Sequence, residues 1–197
     1  RDGVGRRLLV LLHGMGLTIA SFRGIAPYLF ATHDLALLDY SSLTHGMRPG
    51  VRARRLEGLG IHGLTRAVWP VADVLGASLI DLAGSSLGGG MCLVAALDEP
   101  KRVRRIVLSN PACFPQCLPR AYRLARIPLI GEMLMATTRA ERLVAGVEQI
   151  GYVDPRRFVP ELRQRYVRIM SGVRNRMKLM DLIRALPADE RDPAAVE

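Results

Sequence analysis

The sequence predicts an α/β fold: a doubly wound parallel sheet fills the first part of the chain and a helical segment follows it. Three observations carry this expectation. The runs Leu8 to Leu12 and Ser78 to Ala83 are short, largely apolar and without alternation, as strands buried on both faces are. Strand patterns at residues 8–12, 34–39, 78–83 and 105–109 alternate with helical patterns near 21–30, 60–75 and 88–97, an order that calls for parallel strands joined by right-handed crossovers. The alternation ends where Pro111, Pro115 and Pro119 crowd together with Cys113 and Cys117, and the pattern beyond them is helical. The expected division is therefore 1–117 and 118–197.

The first strand runs into His13-Gly14-Met15-Gly16. A glycine-flanked loop directly after a buried strand can aim a backbone N–H, that of Met15, across the end of the sheet, while the His13 ring braces the turn. The second strand ends at Asp39, read as the start of a loop and not as a metal ligand or catalytic acid.

The third strand is followed by Gly84-Ser85-Ser86-Leu87-Gly88 and then by the small-residue run Gly89 to Ala96. A strand that turns abruptly into a helix around G-x-S-x-G presents its central serine above the sheet edge, a nucleophile elbow. The middle residue of such a turn is strained, and Gly84 and Gly88 supply the positions where a Cβ would clash. The helix N-terminus points amides back at Ser86, so the N–H groups of Leu87 and Met15 form a candidate oxyanion hole. In the helical segment, Leu162, Tyr166, Ile169, Val173 and Met177 recur at spacings of three or four, one apolar stripe with Arg163, Arg165 and Arg168 largely off it. Core packing is the plainer reading of that stripe, and a substrate-lining face the functional one.

Composition excludes several classes. The chain has 197 residues, 49% hydrophobic and 23% charged, which suits a globular domain with a sizeable core. No run of about 18 apolar residues appears, so no transmembrane helix is expected. A charged start followed by a strand pattern argues against a signal peptide, though a segment before residue 1 could carry one, and reduced thiols in a cytoplasmic location are the default. Cys92, Cys113 and Cys117 lack the spacing of a disulfide framework or a zinc site. The formal net charge is +10, yet Lys101 and Lys178 are the only lysines, and the arginines are spread along the chain with 5% aromatics. Solvated arginine faces are expected, and no nucleic-acid partner. Local enrichment between Arg120 and Arg184 could give weak contact with anionic lipid or an acidic substrate. Gly84 and Gly89 have P-loop spacing, but Gly90 and Met91 stand where Lys and Ser or Thr are needed. Gly3 and Gly5 precede a strand instead of following one, which excludes a dinucleotide fingerprint. No cofactor and no metal are expected.

From Asp2 to Ala112 the chain resembles the α/β-hydrolase superfamily: Asp2-Gly3-Val4-Gly5, the strand and His13-Gly14-Met15-Gly16, Leu37-Leu38-Asp39-Tyr40, Ala83 to Gly90 around Ser86, and Glu99 to Ala112 occur in the family's order and spacing. The resemblance implies a partial hydrolase core carrying a helical cap, with a substrate pocket between them. It also implies an acid and a histidine that follow the serine in chain order. His13, His33, His45 and His62 all precede Ser86, so the acid and base are expected beyond Glu197, and the chain is expected to lack strands at both ends. The strand at 105–109 would then stand at a sheet edge.

Relatives that open epoxides or displace halides carry a carboxylate at the elbow, whereas a serine hydroxyl suits acyl transfer. The leading reading is hydrolysis of a carboxylic ester, or a related small-molecule acyl substrate, through a Ser86 acyl-enzyme. Carbon–carbon bond hydrolysis on the same fold is the nearest alternative, and a non-catalytic ligand-binding protein the one from a different class.

Overall fold

The computed structural model describes residues 6–39, 60–113, 120–151, 153–154, 156 and 158–185. Asp2 to Gly5, Tyr40, His45, Cys117 and the expected division at residues 117 and 118 lie outside the described residues.

Strand β1 (Arg7–Leu12) is buried at every position after Arg7, because it has neighbours on both sides. A 3-10 turn (Ile19–Phe22) and α1 (Ala26–Leu29) lead to β2 (His33–Leu38). A single helix over 21–30 is not formed. Thr18 caps the first turn by accepting from the Ala20 amide at 3.2 Å, and Pro27, which lacks an N–H, sits in the opening turn of α1, where a helix starts and does not continue. The expected helix at 60–75 also splits, into α2 (Gly60–Thr65) and α3 (Val68–Val74). Pro70 has no amide to donate to the carbonyl four residues back, so α2 and α3 do not run together.

Strand β3 (Ile80–Ser85), α4 (Leu87–Asp98) and β4 (Val103–Ser109) complete the α/β part. The described sheet has the order β2-β1-β3-β4 with every pair parallel, and each strand lies within two residues of its expected place. Asp81 is a buried acid in this apolar layer. The β3–β4 register slips between Ile80 and Asp81, passing from Val103 to Arg105, so that Arg104 is the extra residue and its guanidinium chelates the Asp81 carboxylate. Strand β4 lies at the edge of the described sheet, with Val107 exposed to solvent.

The helical segment comprises α5 (Arg120–Arg126), α6 (Ile130–Thr137), α7 (Ala140–Gly151), α8 (Pro160–Ser171) and α9 (Val173–Ala185). Here the expected stripe needs correction. Leu162, Tyr166 and Met170 form the buried line of α8, but Gly172 adopts extended backbone and ends that helix, and Val173 emerges exposed at the start of α9. Val10, Leu12, Leu82 and Met91 pack in one core, Val144, Phe158, Leu162 and Tyr166 in a second, and Met135, Met180 and Ile183 in a third. Met15, in the loop after β1, touches both the first and the third, and so ties the helices to the sheet. Among the described residues no helix is long and apolar enough to cross a membrane.

Candidate active site

The sheet order itself selects a location. From β1 the chain passes to one side, to β2, and from β3 to the other side, to β4. The connections leaving the carboxyl ends of the adjacent strands β1 and β3 therefore diverge and leave a crevice, the usual ligand site of an open parallel sheet. Residues 13–17 and 85–87 border it.

Ser86 joins β3 to α4 with φ 50° and ψ −118°, a left-handed conformation unusual for a residue with a Cβ. Its surroundings hold it there. The Ser86 amide donates to the Ser109 carbonyl at 3.0 Å, and the Ser86 carbonyl accepts from the Gly90 amide at 3.0 Å and the Ala112 amide at 2.9 Å. Strain of roughly 1–3 kcal/mol at such a residue persists only when the backbone is over-determined in this way. The glycines make the turn sterically feasible. A Cβ on Gly84 would strike the Gly88 carbonyl and come within 2.7 Å of the Gly89 nitrogen, and one on Gly88 would strike the Leu12 carbonyl and lie 2.7 Å from the His13 oxygen. The first turn of α4 thus rests directly on the end of β1.

The loop from β1 meets Ser86 from the other side. Leu17 donates to the Gly14 carbonyl at 3.1 Å, closing a turn in which Gly16 takes φ 74° and Met15 is central. Gly14 faces the serine: its Cβ position would be 3.4 Å from Ser86 Cβ. His13 is fully buried; its Nδ1–H donates to the Gly14 carbonyl at 2.8 Å, and its Nε2 stands 3.4 Å from Asp39 Oδ1. Burial pushes the His13 pKa below the ordinary value, outweighing the Gly14 carbonyl and the Asp39 charge, so the neutral ring braces the turn at pH 7. The other described histidines face different acids. His33, at the opposite end of the sheet, lies 3.4 Å from Asp81, and His62 lies 3.5 Å from Asp98.

Beside Met15 opens an apolar cavity of about 150 Å³, walled by Leu17, Tyr122, Leu143, Tyr166 and Leu179, with Arg142 the one charged side chain lining it among the described residues. Tyr166 fastens this wall to the loop. Ser21 Oγ donates to the Thr18 carbonyl at 2.7 Å, so the Tyr166 hydroxyl donates to Ser21 Oγ at 3.0 Å and accepts from the Thr18 amide at 3.3 Å. The apolar spacing of α8 marks Tyr166 as inward-facing, but nothing in the sequence pairs it with a serine 145 positions earlier. Tyr122, Leu143 and Leu179 likewise carry no local signal. Cys92, buried in α4, has its thiol pushed up to about 12 by desolvation and is chemically quiet.

A family model described as alpha/beta hydrolase fold matches residues 7–141. The pimeloyl-[acyl-carrier protein] methyl ester esterase of Edwardsiella ictaluri is 33% identical over 115 residues, which are 57% of this chain and 40% of that protein. The 2-hydroxymuconate semialdehyde hydrolase of a Pseudomonas species is 30% identical over 107 residues, 53% of this chain and 36% of that protein. The chain thus spans some two fifths of the length of the curated relatives it matches. Among solved structures, Cfl2 from Burkholderia cenocepacia superposes with a TM-score of 0.75 at 17% identity, over 93% of this chain and 65% of that one.

Proposed function

The chain belongs to the alpha/beta hydrolase fold family, and from that premise we propose that it contributes the nucleophile and oxyanion hole of a serine hydrolase acting on a carboxylic ester or related acyl compound. The observation that carries the reading is the left-handed Ser86 at the strand-to-helix turn, clamped by three backbone hydrogen bonds and abutted by Gly14.

The chemistry divides into two halves. Ser86 Oγ adds to the substrate carbonyl carbon as its proton passes to a base; the carbonyl π electrons move to oxygen, and the tetrahedral oxyanion is held by the Leu87 and Met15 N–H groups. Collapse expels the alcohol, which takes a proton from the conjugate acid of the base, and water repeats the sequence on the acyl-enzyme. Each amide acts on charge that exists only in the transition state, which is why one such donor is worth roughly 10²–10³ in rate. Leu87 supplies its amide because the first turn of α4 has unpaired N–H groups, and Met15 because its turn stands at the mouth of the crevice. The apolar cavity beside Met15 suits the acyl chain. We assign the base to none of the described histidines, since His13 braces its own loop and His33 and His62 face Asp81 and Asp98.

Residues 1–117 are proposed as a partial hydrolase core with the nucleophile elbow, and 118–197 as the helical cap and the start of the return to the core. Carbon–carbon bond hydrolysis is the second reading, favoured by the name of the Pseudomonas relative. The test is fluorophosphonate labelling and p-nitrophenyl ester turnover of the natural full-length protein. Both are expected, and both are lost in Ser86→Ala. Cleavage of a dienoic ketoacid without ester turnover selects the second reading. Turnover that survives Ser86→Ala overturns both.

A further inference from the structure

We propose that the α5–α6 hairpin docks this protein on an anionic lipid bilayer, with its apolar tip in the acyl region and its arginines on the headgroups. The tip is built from Leu124, Ile127, Leu129, Ile130 and Met133, all exposed; Leu129 is 82% exposed and Met133 61%. Five exposed apolar side chains within ten residues of one hairpin are of the kind that marks an interaction surface.

The backbone presents this tip deliberately. Leu129 takes φ 65°, a costly conformation for a residue with a branched side chain. It is held by an Ile130 amide donating to the Pro128 carbonyl at 2.8 Å and a Met133 amide donating to the Leu129 carbonyl at 3.0 Å. Gly131 lets α6 lie directly on α5, because a Cβ there would strike the Ala125 carbonyl.

Charge complementarity selects the occupant. Arg120 and Arg123 are exposed on the face of α5 that carries Leu124, which lies four residues from Arg120, and Ile127 follows directly after the helix. The acid of the hairpin, Glu132, is neutralised by a bidentate pair with Arg184, and Arg126 turns inward to the Ile183 carbonyl. What the tip shows outward is therefore apolar and cationic. Leu129, with most of its side chain in water, would need a matching pit on a folded acidic partner, whereas a bilayer takes a projecting leucine without one. Ala121 and Tyr122 on the same helix line the apolar cavity, so a docked hairpin brings that cavity to the membrane surface.

Binding is read without turnover, so this proposal and the one for Ser86 fail separately. The natural full-length protein is sedimented with phosphatidylcholine vesicles, with or without about a third phosphatidylserine. It is expected to bind only the anionic vesicles, less so as salt rises. Arg120→Ala with Arg123→Ala should weaken binding by roughly 25-fold, at about fivefold per arginine. Leu129→Asp should weaken it by about tenfold or more. Val74→Asp, at an exposed valine on α3, should leave it unchanged. Leu129→Trp should blue-shift its emission on anionic vesicles alone. Any of four results overturns the proposal: no vesicle binding, an equal loss in Val74→Asp, equal binding to soluble polyglutamate, or an oligomer that Leu129→Asp dissociates without lipid.

Discussion

Replacing Gly88 by alanine tests whether the first turn of α4 must rest on β1. The added methyl would overlap the Leu12 carbonyl and approach the His13 oxygen to 2.7 Å. Neither neighbour is the free end of a flexible side chain. Leu12 is the last residue of a strand paired on both sides, and His13 is fully buried with its ring on the Gly14 carbonyl. Relief therefore requires α4 to tilt away, which breaks the Gly90-to-Ser86 hydrogen bond and opens the core around Leu87, Met91 and Cys92. Overpacking commonly costs about 1–3 kcal/mol, and with rigid backbone on both sides the upper end applies. A loss of about 3 kcal/mol in a chain of this size corresponds to a Tm lower by roughly 6–12 °C. Gly146→Ala is the internal control. Nothing stands within 4 Å of its Cβ position inside α7, so helix propensity should stabilise the chain by about 0.5–1 kcal/mol. Both variants are compared with the parent chain by thermal and urea unfolding followed by circular dichroism. A Gly88→Ala chain that melts within about 2 °C of the parent, on the conversion used above, would refute the reasoning.

Further measurements check other links. Glu132 is held at about 2 by the Arg184 guanidinium, a lowered carboxylate whose stabilisation is complete above its ordinary value of 4.5 and is lost as pH falls toward 2. Because the pair is partly solvated, Glu132→Gln should cost only about 0.5–1 kcal/mol at pH 7, and the Tm difference should close across that acid window. Tyr166→Phe removes the link from α8 to Ser21 and Thr18 and should cost about 1–2 kcal/mol in unfolding free energy. With native protein at pH 8, iodoacetamide should modify exposed Cys113 and spare Cys92, as read by peptide mass mapping.

What the sequence discloses follows from how local each cause is. The apolar residues of β1 and β3 report burial on both faces without reference to any distant partner, and all four strands fall where their runs predict. Ser86 is equally legible, since its left-handed backbone needs glycines two positions away on either side and those are written beside it. Helix ends were hidden by weaker local terms: Pro70 and Gly172 each override a continuous apolar period. A pocket between sheet and helices is expected, and the stripe of α8 offers Tyr166 as a lining residue, but the rest of its wall is not legible. Its wall joins Met15 and Leu17 to Tyr122, Leu143, Tyr166 and Leu179, and Tyr166 is fixed by a hydrogen bond to Ser21 that no periodicity encodes. On the function proposed here, attack on a carbonyl depends on one short turn whose requirements are steric and local, whereas choice of substrate depends on side chains that meet only after the helices have packed. The sequence therefore speaks more clearly about Ser86 chemistry than about what Ser86 would attack, and mutations in the wall should change substrate preference while leaving the strained turn intact.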